Sequence, residues 1–299
     1  MAQKDVKSRI SSVKNIQKIT RAMEMVAAAR LRRAEQRIEA LRPYASAIRR
    51  MTRQAAEAAQ NVPNLPILQE HENVSNVGIL LVTGDRGLAG AFNSQIVRAG
   101  IRADAELGGA GVEWFASGRR GVSSLTFRGR NVRGEYTGFT DRPAYANARD
   151  IAADLMTAYI DGDVDQVDIF YNRYISPLTQ EVRRETLLPL KHATILDEGE
   201  DEDHGEDEHE GGGRALVEYE PDADETLGRL VPEYVEISVY RALLESTASE
   251  HGARMTAMRN ASENAGDIIQ DLTLEMNRAR QAEITQEIME VVAGAEALG

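Results

Sequence analysis

ARMTAMRNASENAGDIIQDLTLEMNRA, residues 253–279, decides the fold. Met255, Met258, Ser262, Ala265, Ile269, Leu272, Met276 and Ala279 follow at steps of 3, 4, 3, 4, 3, 4 and 3. That alternation holds a narrow stripe on one side of an α-helix and is the seam of a coiled coil. The stripe is made of small and soft side chains. No proline occurs between Glu233 and Leu298, so at about 1.5 Å per residue the helix spans roughly 100 Å. Pro232 is placed to open it, where a missing N–H costs little. Asp222 and Glu225 have the spacing of an N-terminal cap.

A partner seam lies at the other end of the chain. Val6, Ile10, Val13, Ile16, Ile19, Met23, Val26 and Ala27 recur at helical spacing, and Leu31, Ala34, Ile38, Leu41, Ala45 and Ile48 continue in strict heptad alternation. Two successive steps of three, from Val13 to Ile19, predict a local disturbance of the supercoil. Pro43 removes one donor and is a candidate kink. Pro63 and Pro66 end the segment.

Between these helices the pattern changes. VSNVGILLVTGDRGLAG (74–90) reads as a buried strand running into a glycine turn, and residues 92–107 as a helix. GVEWFASG (111–118) reads as a strand and turn, 144–160 as a helix, and VDIFYNRYI (167–175) as a strand. Strands alternating with helices predict a small Rossmann-like α/β unit with a largely parallel sheet. The expected class is α/β with long helices: an antiparallel coiled coil of the two terminal segments, capped by the central domain. The expected divisions are 1–60 for the first helix, 74–196 for the α/β domain, 197–213 for an acidic insertion, 214–230 for the end of the domain, and 231–299 for the second helix. The second helix is the longer, so its apolar end, IMEVVAGAEALG, is expected to protrude into a sleeve supplied by another protein.

Composition narrows the function. Without cysteine there is no disulfide framework, thiolate zinc site or cysteine nucleophile. MAQKDVKSRI is not a signal peptide, and no run approaches the ~20 apolar residues of a membrane span. The net charge of −13 hides a split: residues 1–60 hold 14 Lys and Arg against 5 Asp and Glu, a net of +9 that leaves −22 for the rest. The basic arm has acidic residues interspersed and no aromatic before Tyr44 on which a base could stack, so no nucleic-acid partner is expected. DEGEDEDHGEDEHEGGG (197–213) reads as a solvated, disordered loop. His204 and His209 could hold a divalent cation loosely, although such a loop is more often only solvated.

No catalytic set stands out. GDRGLAGAFN (84–93) lacks the G-x-x-x-x-G-K-[ST] spacing of a phosphate loop and the G-x-G-x-x-G of a dinucleotide loop. It reads as a tight strand-to-helix connection. HEN (71–73) lacks the second histidine of a zinc helix. Neither cofactor nor metal is expected.

SRISSVKNIQKITRAMEMVAAARL (8–31), GDRGLAGAFN and SEHGARMTAMRNASENAGDIIQDLTLEMNRARQAEITQEIMEVVAGAEAL (249–298) resemble the gamma subunits of F-type ATP synthases in order, spacing and ends. The resemblance covers nearly the whole chain, is looser in the middle, and is departed from by the acidic tract. It implies a central rotor stalk, itself not an enzyme, coupling proton translocation to ATP synthesis and regulating ATPase activity. The implied partners are three alpha and three beta subunits, an epsilon subunit and the membrane c-ring. The implied location is peripheral, on the cytoplasmic face of the cell membrane. Met23, Arg254, Arg280 and Gln281 match positions that meet or couple to beta, and Glu220 one that faces the ring.

Two other readings share the coarse layout. An α/β enzyme with a helical dimerisation arm would need a convergent site within 74–196. A flagellin-like filament protein would be expected to have ends rich in Asn, Ser and Thr, where these are rich in Arg, Ala and Glu.

Overall fold

The computed structural model describes residues 3–58, 65–71, 73–190 and 223–296. The acidic tract with His204 and His209, the segment 214–222 and Glu220 lie outside them. Helix α1 (Gln3–Ala58) leads into a short 3-10 turn (Pro66–Leu68). Then follow β1 (Asn76–Val82), α2 (Phe92–Glu106), β2 (Gly111–Ser117), α3 (Arg119–Phe127) and β3 (Val132–Tyr136). The rest is α4 (Tyr145–Ile160), β4 (Gln166–Tyr174), β5 (Gln180–Leu188) and α5 (Ala223–Glu296).

Helices α1 and α5 pair antiparallel. Val6 and Ile10 pack on Leu272, Gln17 reaches the Ser262 carbonyl at 3.2 Å, and Leu31 and Ala34 pack on Ala248. The seam does not run through Ile16 and Ile19, whose steps predicted the disturbance. The stripe on α5 runs Val6, Ile10, Val13, Gln17, Thr20, Glu24, Ala27, Leu31, Ala34, Ile38, Leu41, Ala45, Ile48, Thr52 and Ala55, an unbroken alternation of four and three. Ile16, Ile19 and Val26 are each more than half exposed. The physical reason is that two consecutive steps of three carry a residue off the partner-facing stripe, whereas polar residues can stay on it if bonded. Gln17 bonds Ser262, the Thr20 hydroxyl donates to the Gln17 carbonyl at 3.0 Å, and Glu24 accepts from Arg259 at 2.9 Å. Pro43 lies on the exposed side of α1, where water can satisfy the carbonyl that loses its donor.

The sheet has order β3-β2-β1-β4-β5, with the first four strands parallel and β5 antiparallel along the edge. β1 is central, paired with both β2 and β4, and all but its first residue is buried, as a strand covered on both faces must be. Alternate residues serve two cores. Val77, Ile79 and Leu81 meet Ile96 and Val97 of α2 and Leu125 of α3. Leu80 and Val82 meet Ile151 and Leu155 of α4, Val231, Val235 and Val239 of α5, and Ile48 of α1. A β-carbon at Gly100 would lie 2.6 Å from Leu81, so α2 seats directly on β1 because that position is bare.

Three elements went unread in the sequence. α3 is only nine residues long, β3 five, and β5 (QEVRRETLL) carries charges on both faces, at Glu181, Arg183, Arg184 and Glu185, which suits an edge strand and hides its period. The second helix does not open at Pro232; it begins at Ala223 and carries Pro232 within it. Residues 223–230, expected to finish the domain, are its first turns. The carbonyl deprived of a donor belongs to Gly228, and burial of Leu227, Leu230 and Val231 in the core outweighs the lost bond.

The seam assignment is measurable. Ile10→Ala should cost about 2–4 kcal/mol in urea unfolding, and Ile16→Ala no more than about 0.5 kcal/mol. Equal costs would restore the disturbed seam.

Candidate functional site at the junction of coil and domain

In an open parallel sheet, ligands enter the crevice at the carboxyl ends of the strands where strand order reverses. Here that point lies between β1 and β4. It is filled by α5. The Ser246 hydroxyl donates to the Val82 carbonyl at 3.2 Å, and that of Ser249 to the Asn172 carbonyl at 3.0 Å. Thr247 donates to the Thr140 carbonyl at 2.9 Å. A void of about 10 Å³ remains among Val82, Thr140, Ser246 and Glu250, room for one water at most. A nucleotide has no place there.

The turn after β1 is shaped to receive the helix. A β-carbon at Gly84 would lie 2.7 Å from the Glu250 carboxylate, so only glycine lets α5 come so close. Gly118, after β2, has φ 93°, and a side chain there would meet the Thr83 carbonyl at 2.2 Å. Asp85 ties three loops together: it accepts from the N–H of Arg119 at 3.1 Å, from the N–H of Gly138 at 2.9 Å, and from the Thr140 hydroxyl at 3.0 Å. GDRGLAGAFN is thus the strand-to-helix connection expected from sequence.

A charged cluster sits on this turn. Arg254, 8% exposed, donates to Glu250 at 2.5 Å and to the Gly87 carbonyl at 3.3 Å, and its Nη1 lies 3.4 Å from His251 Nδ1. Asp141 accepts from Arg30 of α1 at 2.8 Å and lies 3.3 Å from Arg86. Burial raises the Glu250 carboxyl above its usual range, against the pull of Arg254. Burial, then the positive charge of Arg254, pushes His251 down to about 4. The imidazole is therefore neutral at pH 7 and can accept from Arg254 at Nδ1.

The candidate coupling residues are spread along the shaft. Met23 is half-buried beside the seam, and Arg254 is engaged within the chain. Arg280 and Gln281 are exposed, about 39 Å beyond Arg254 at the helical rise. They stand where α1 ends: Val6, near its start, packs on Leu272, and residues 281–293 of α5 are all exposed. Sequence reasoning missed Asp85, Asp141, Glu250 and His251. The i,i+4 spacing of Glu250 and Arg254 was a readable signal; the reach of Arg30 to Asp141 was not. His71 pairs with Asp165 at 2.7 Å at the far end of the sheet. Burial alone would raise Asp165, but the N–H groups of Asn76 and Ser75 and the His71 ring outweigh it and hold its carboxyl low. No cluster of metal-ligating side chains occurs among the described residues, and no described helix is long and apolar enough to cross a membrane.

Such a molecule is a shaft on a foot: a paired-helix rod whose longer helix runs through the domain and plugs its switch-point crevice. Comparison with known proteins identifies which shaft. The family profile described as ATP synthase matches residues 2–298. The ATP synthase gamma chain of Rubrobacter xylanophilus is 42% identical over 297 residues, covering 99% of this chain and 98% of that one. That of Streptomyces avermitilis is 42% identical over 298 residues, covering 98% and 94%. Among solved structures, the central stalk and c-ring of the Tetrahymena thermophila mitochondrial ATP synthase holds a chain 25% identical, with TM-score 0.59, covering 82% of this chain and 99% of that one. A chain of the Euglena gracilis mitochondrial ATP synthase, 18% identical with TM-score 0.67, shares the fold over 99% of this chain and 94% of its own. The chain belongs to the ATP synthase gamma-chain family.

The junction has a pH signature. His251 binds a proton more weakly folded than unfolded, so its contribution is complete above about pH 6.5 and is lost as pH falls toward about 4. Glu250 has the opposite sign, its contribution shrinking as pH rises through its raised folded value. The difference between wild type and His251→Gln isolates the histidine. Wild type should lose about 3 kcal/mol more than the variant between pH 7 and pH 4, measured by urea unfolding. Parallel pH profiles would mean that His251 is not buried neutral.

Proposed function

We propose that this chain is the rotating central shaft of its ATP synthase, turned by a membrane ring and coupling proton translocation to ATP synthesis at alpha–beta catalytic sites, without a catalytic site of its own. The observation that carries this reading is the plugged crevice. The crevice at which an open parallel sheet ordinarily takes its ligand is occupied by the helix that continues, as a rod, out of the domain. The filled crevice counts against the α/β enzyme reading.

The partners are three alpha and three beta subunits around the coil, with an epsilon subunit and the c-ring at the foot; the Tetrahymena assembly, described as central stalk and c-ring, supports the last. The complex sits on the cytoplasmic face of the cell membrane, to which this chain is peripheral. A shaft can drive catalytic sites only by touching their conformations with different free energies. Arg280 and Gln281, exposed on the unpaired tip, make such contacts directly, and Met23 makes them from the side of the coil. Arg254 acts by holding α5 on the Gly87 carbonyl, so that the rod turns with the foot. Glu220 faces the ring, the acidic tract 197–213 modulates the foot, and the chain as a whole also regulates ATPase activity.

Native purification of the tagged chain from its own host, with subunits counted, tests the reading. One copy with a three-plus-three assembly, and no ATPase in the chain alone, is the expected result; a free monomer or filament would sink it. Within the assembly, Arg280→Ala or Gln281→Ala should lower ATP synthesis about fivefold without shifting the unfolding midpoint of the chain, whereas Arg254→Ala should lower both. Deleting 198–212 should change coupling or assembly; synthesis at the wild-type rate would remove the acidic tract from the mechanism.

A further inference from the structure

α1 enters the domain core near its C-terminal end, through Ile48 and Ala55, but ahead of that stretch it is the weaker-held half of the shaft. α5 threads the domain core, but at the junction α1 lies outside it, with Leu31 and Ala34 on Ala248. An interface of small side chains packs closely yet offers little resistance to a helix rolling about its own axis. Directional polar contacts supply that resistance, as polar groups set register in coiled coils.

Such contacts reach α1 from the domain at Arg30 and Glu35. Arg30 donates to Asp141 at 2.8 Å, and Glu35 accepts from the Tyr174 hydroxyl at 2.5 Å. Five residues separate Arg30 from Glu35, which on a helix is about 140° around and about 7.5 Å along the axis. The domain partners stand on different supports. Asp141 is in the loop between β3 and α4, fixed by its neighbour Thr140 to Asp85 and Thr247. Tyr174 ends β4 and packs with Leu31, Ala34 and Met255. The contacts therefore hold α1 from two flanks.

The geometry points to a collar: the pairs Arg30–Asp141 and Glu35–Tyr174 lock α1 against rotation where it leaves the α/β domain, so that torque entering at the foot passes into both helices at the base of the coil. These four are positioning residues, and the inference rests on the shaft reading above.

The test uses the complete ATP synthase carrying the double variant Asp141→Asn/Tyr174→Phe, which deletes the phenol donor and the carboxylate charge. Three readouts are taken: ATP hydrolysis, proton pumping per ATP hydrolysed, and amide exchange over residues 26–40. The double variant should assemble and hydrolyse ATP, exchange about tenfold faster in that stretch, and pump at most about half as many protons per ATP, a loss in transmission alone. Glu35→Gln, whose amide oxygen still accepts from Tyr174, should pump as wild type. A purely structural role would lower assembly and hydrolysis together. Wild-type pumping in the double variant overturns the collar, as does equal loss in Glu35→Gln. If the double variant does not assemble, the singles Asp141→Asn and Tyr174→Phe decide; their failure to assemble also overturns it, because the contacts would then serve folding. Failure of the wild-type chain to enter the complex is a different result and defeats the shaft reading itself.

Discussion

Everything in this molecule depends on α5 being one uninterrupted helix from Ala223 to Glu296. Its first turns are core: Leu230, Val231, Val235 and Val239 are buried with the sheet and α4. Its middle, from Ser246 to Arg254, caps the carboxyl ends of β1 and β4. The rest, more than half of its length, leaves the domain, first paired with α1 and then alone. A hinge anywhere along it would uncouple the foot from the tip. The chain accordingly keeps its proline near the start, in turns anchored by the core, and has none beyond Pro232.

Filling the switch-point crevice with a helix forces charged groups indoors. Glu250 and Arg254 are almost fully buried, and such a pair compensates its desolvation only if the remaining bonding capacity is met. Arg254 meets it with the Gly87 carbonyl and the lone pair of a neutral His251; a protonated His251 would confront a guanidinium 3.4 Å away. The arrangement gains direction rather than large net stability. Arginine's fixed donors set the azimuth of α5 on the glycine turn, which apolar packing alone would leave loose.

The gross architecture was legible because the long elements have strong periods. The 3–4 alternation from Met255 to Ala279 and the apolar run of β1 are each readable without a partner, and α2, β2, α4 and β4 follow from the same patterns. What misled was apolarity taken as position: Ile16, Ile19 and Val26 look like core, and Gln17, Thr20 and Glu24 look like surface. The structure reverses them, because heptad geometry outranks hydrophobicity when hydrogen bonds within the helix or across the seam satisfy the polar side chains. Pro232 misled similarly, since local cost was read without the burial that offsets it. The junction was hardly legible at all. Asp141 and Arg30 are 111 residues apart, and only the fold brings them together.

The exposed apolar residues complete the argument for a sheathed rod. Ile16, Ile19, Met25 and Val26 on α1, and Ile288, Met289, Val291 and Val292 on the tip of α5, are each about half exposed or more. Scattered singly, such residues are ordinary, but here they recur along a rod too thin to bury them. The seam already holds a full heptad complement, so they are surplus to folding and suited to a surrounding partner. They also differ around the circumference and along the length, because two unlike helices have no rotational symmetry. A sleeve of repeated subunits would then meet a different surface at each of its sites, the condition under which one shaft can hold identical sites in unequal states.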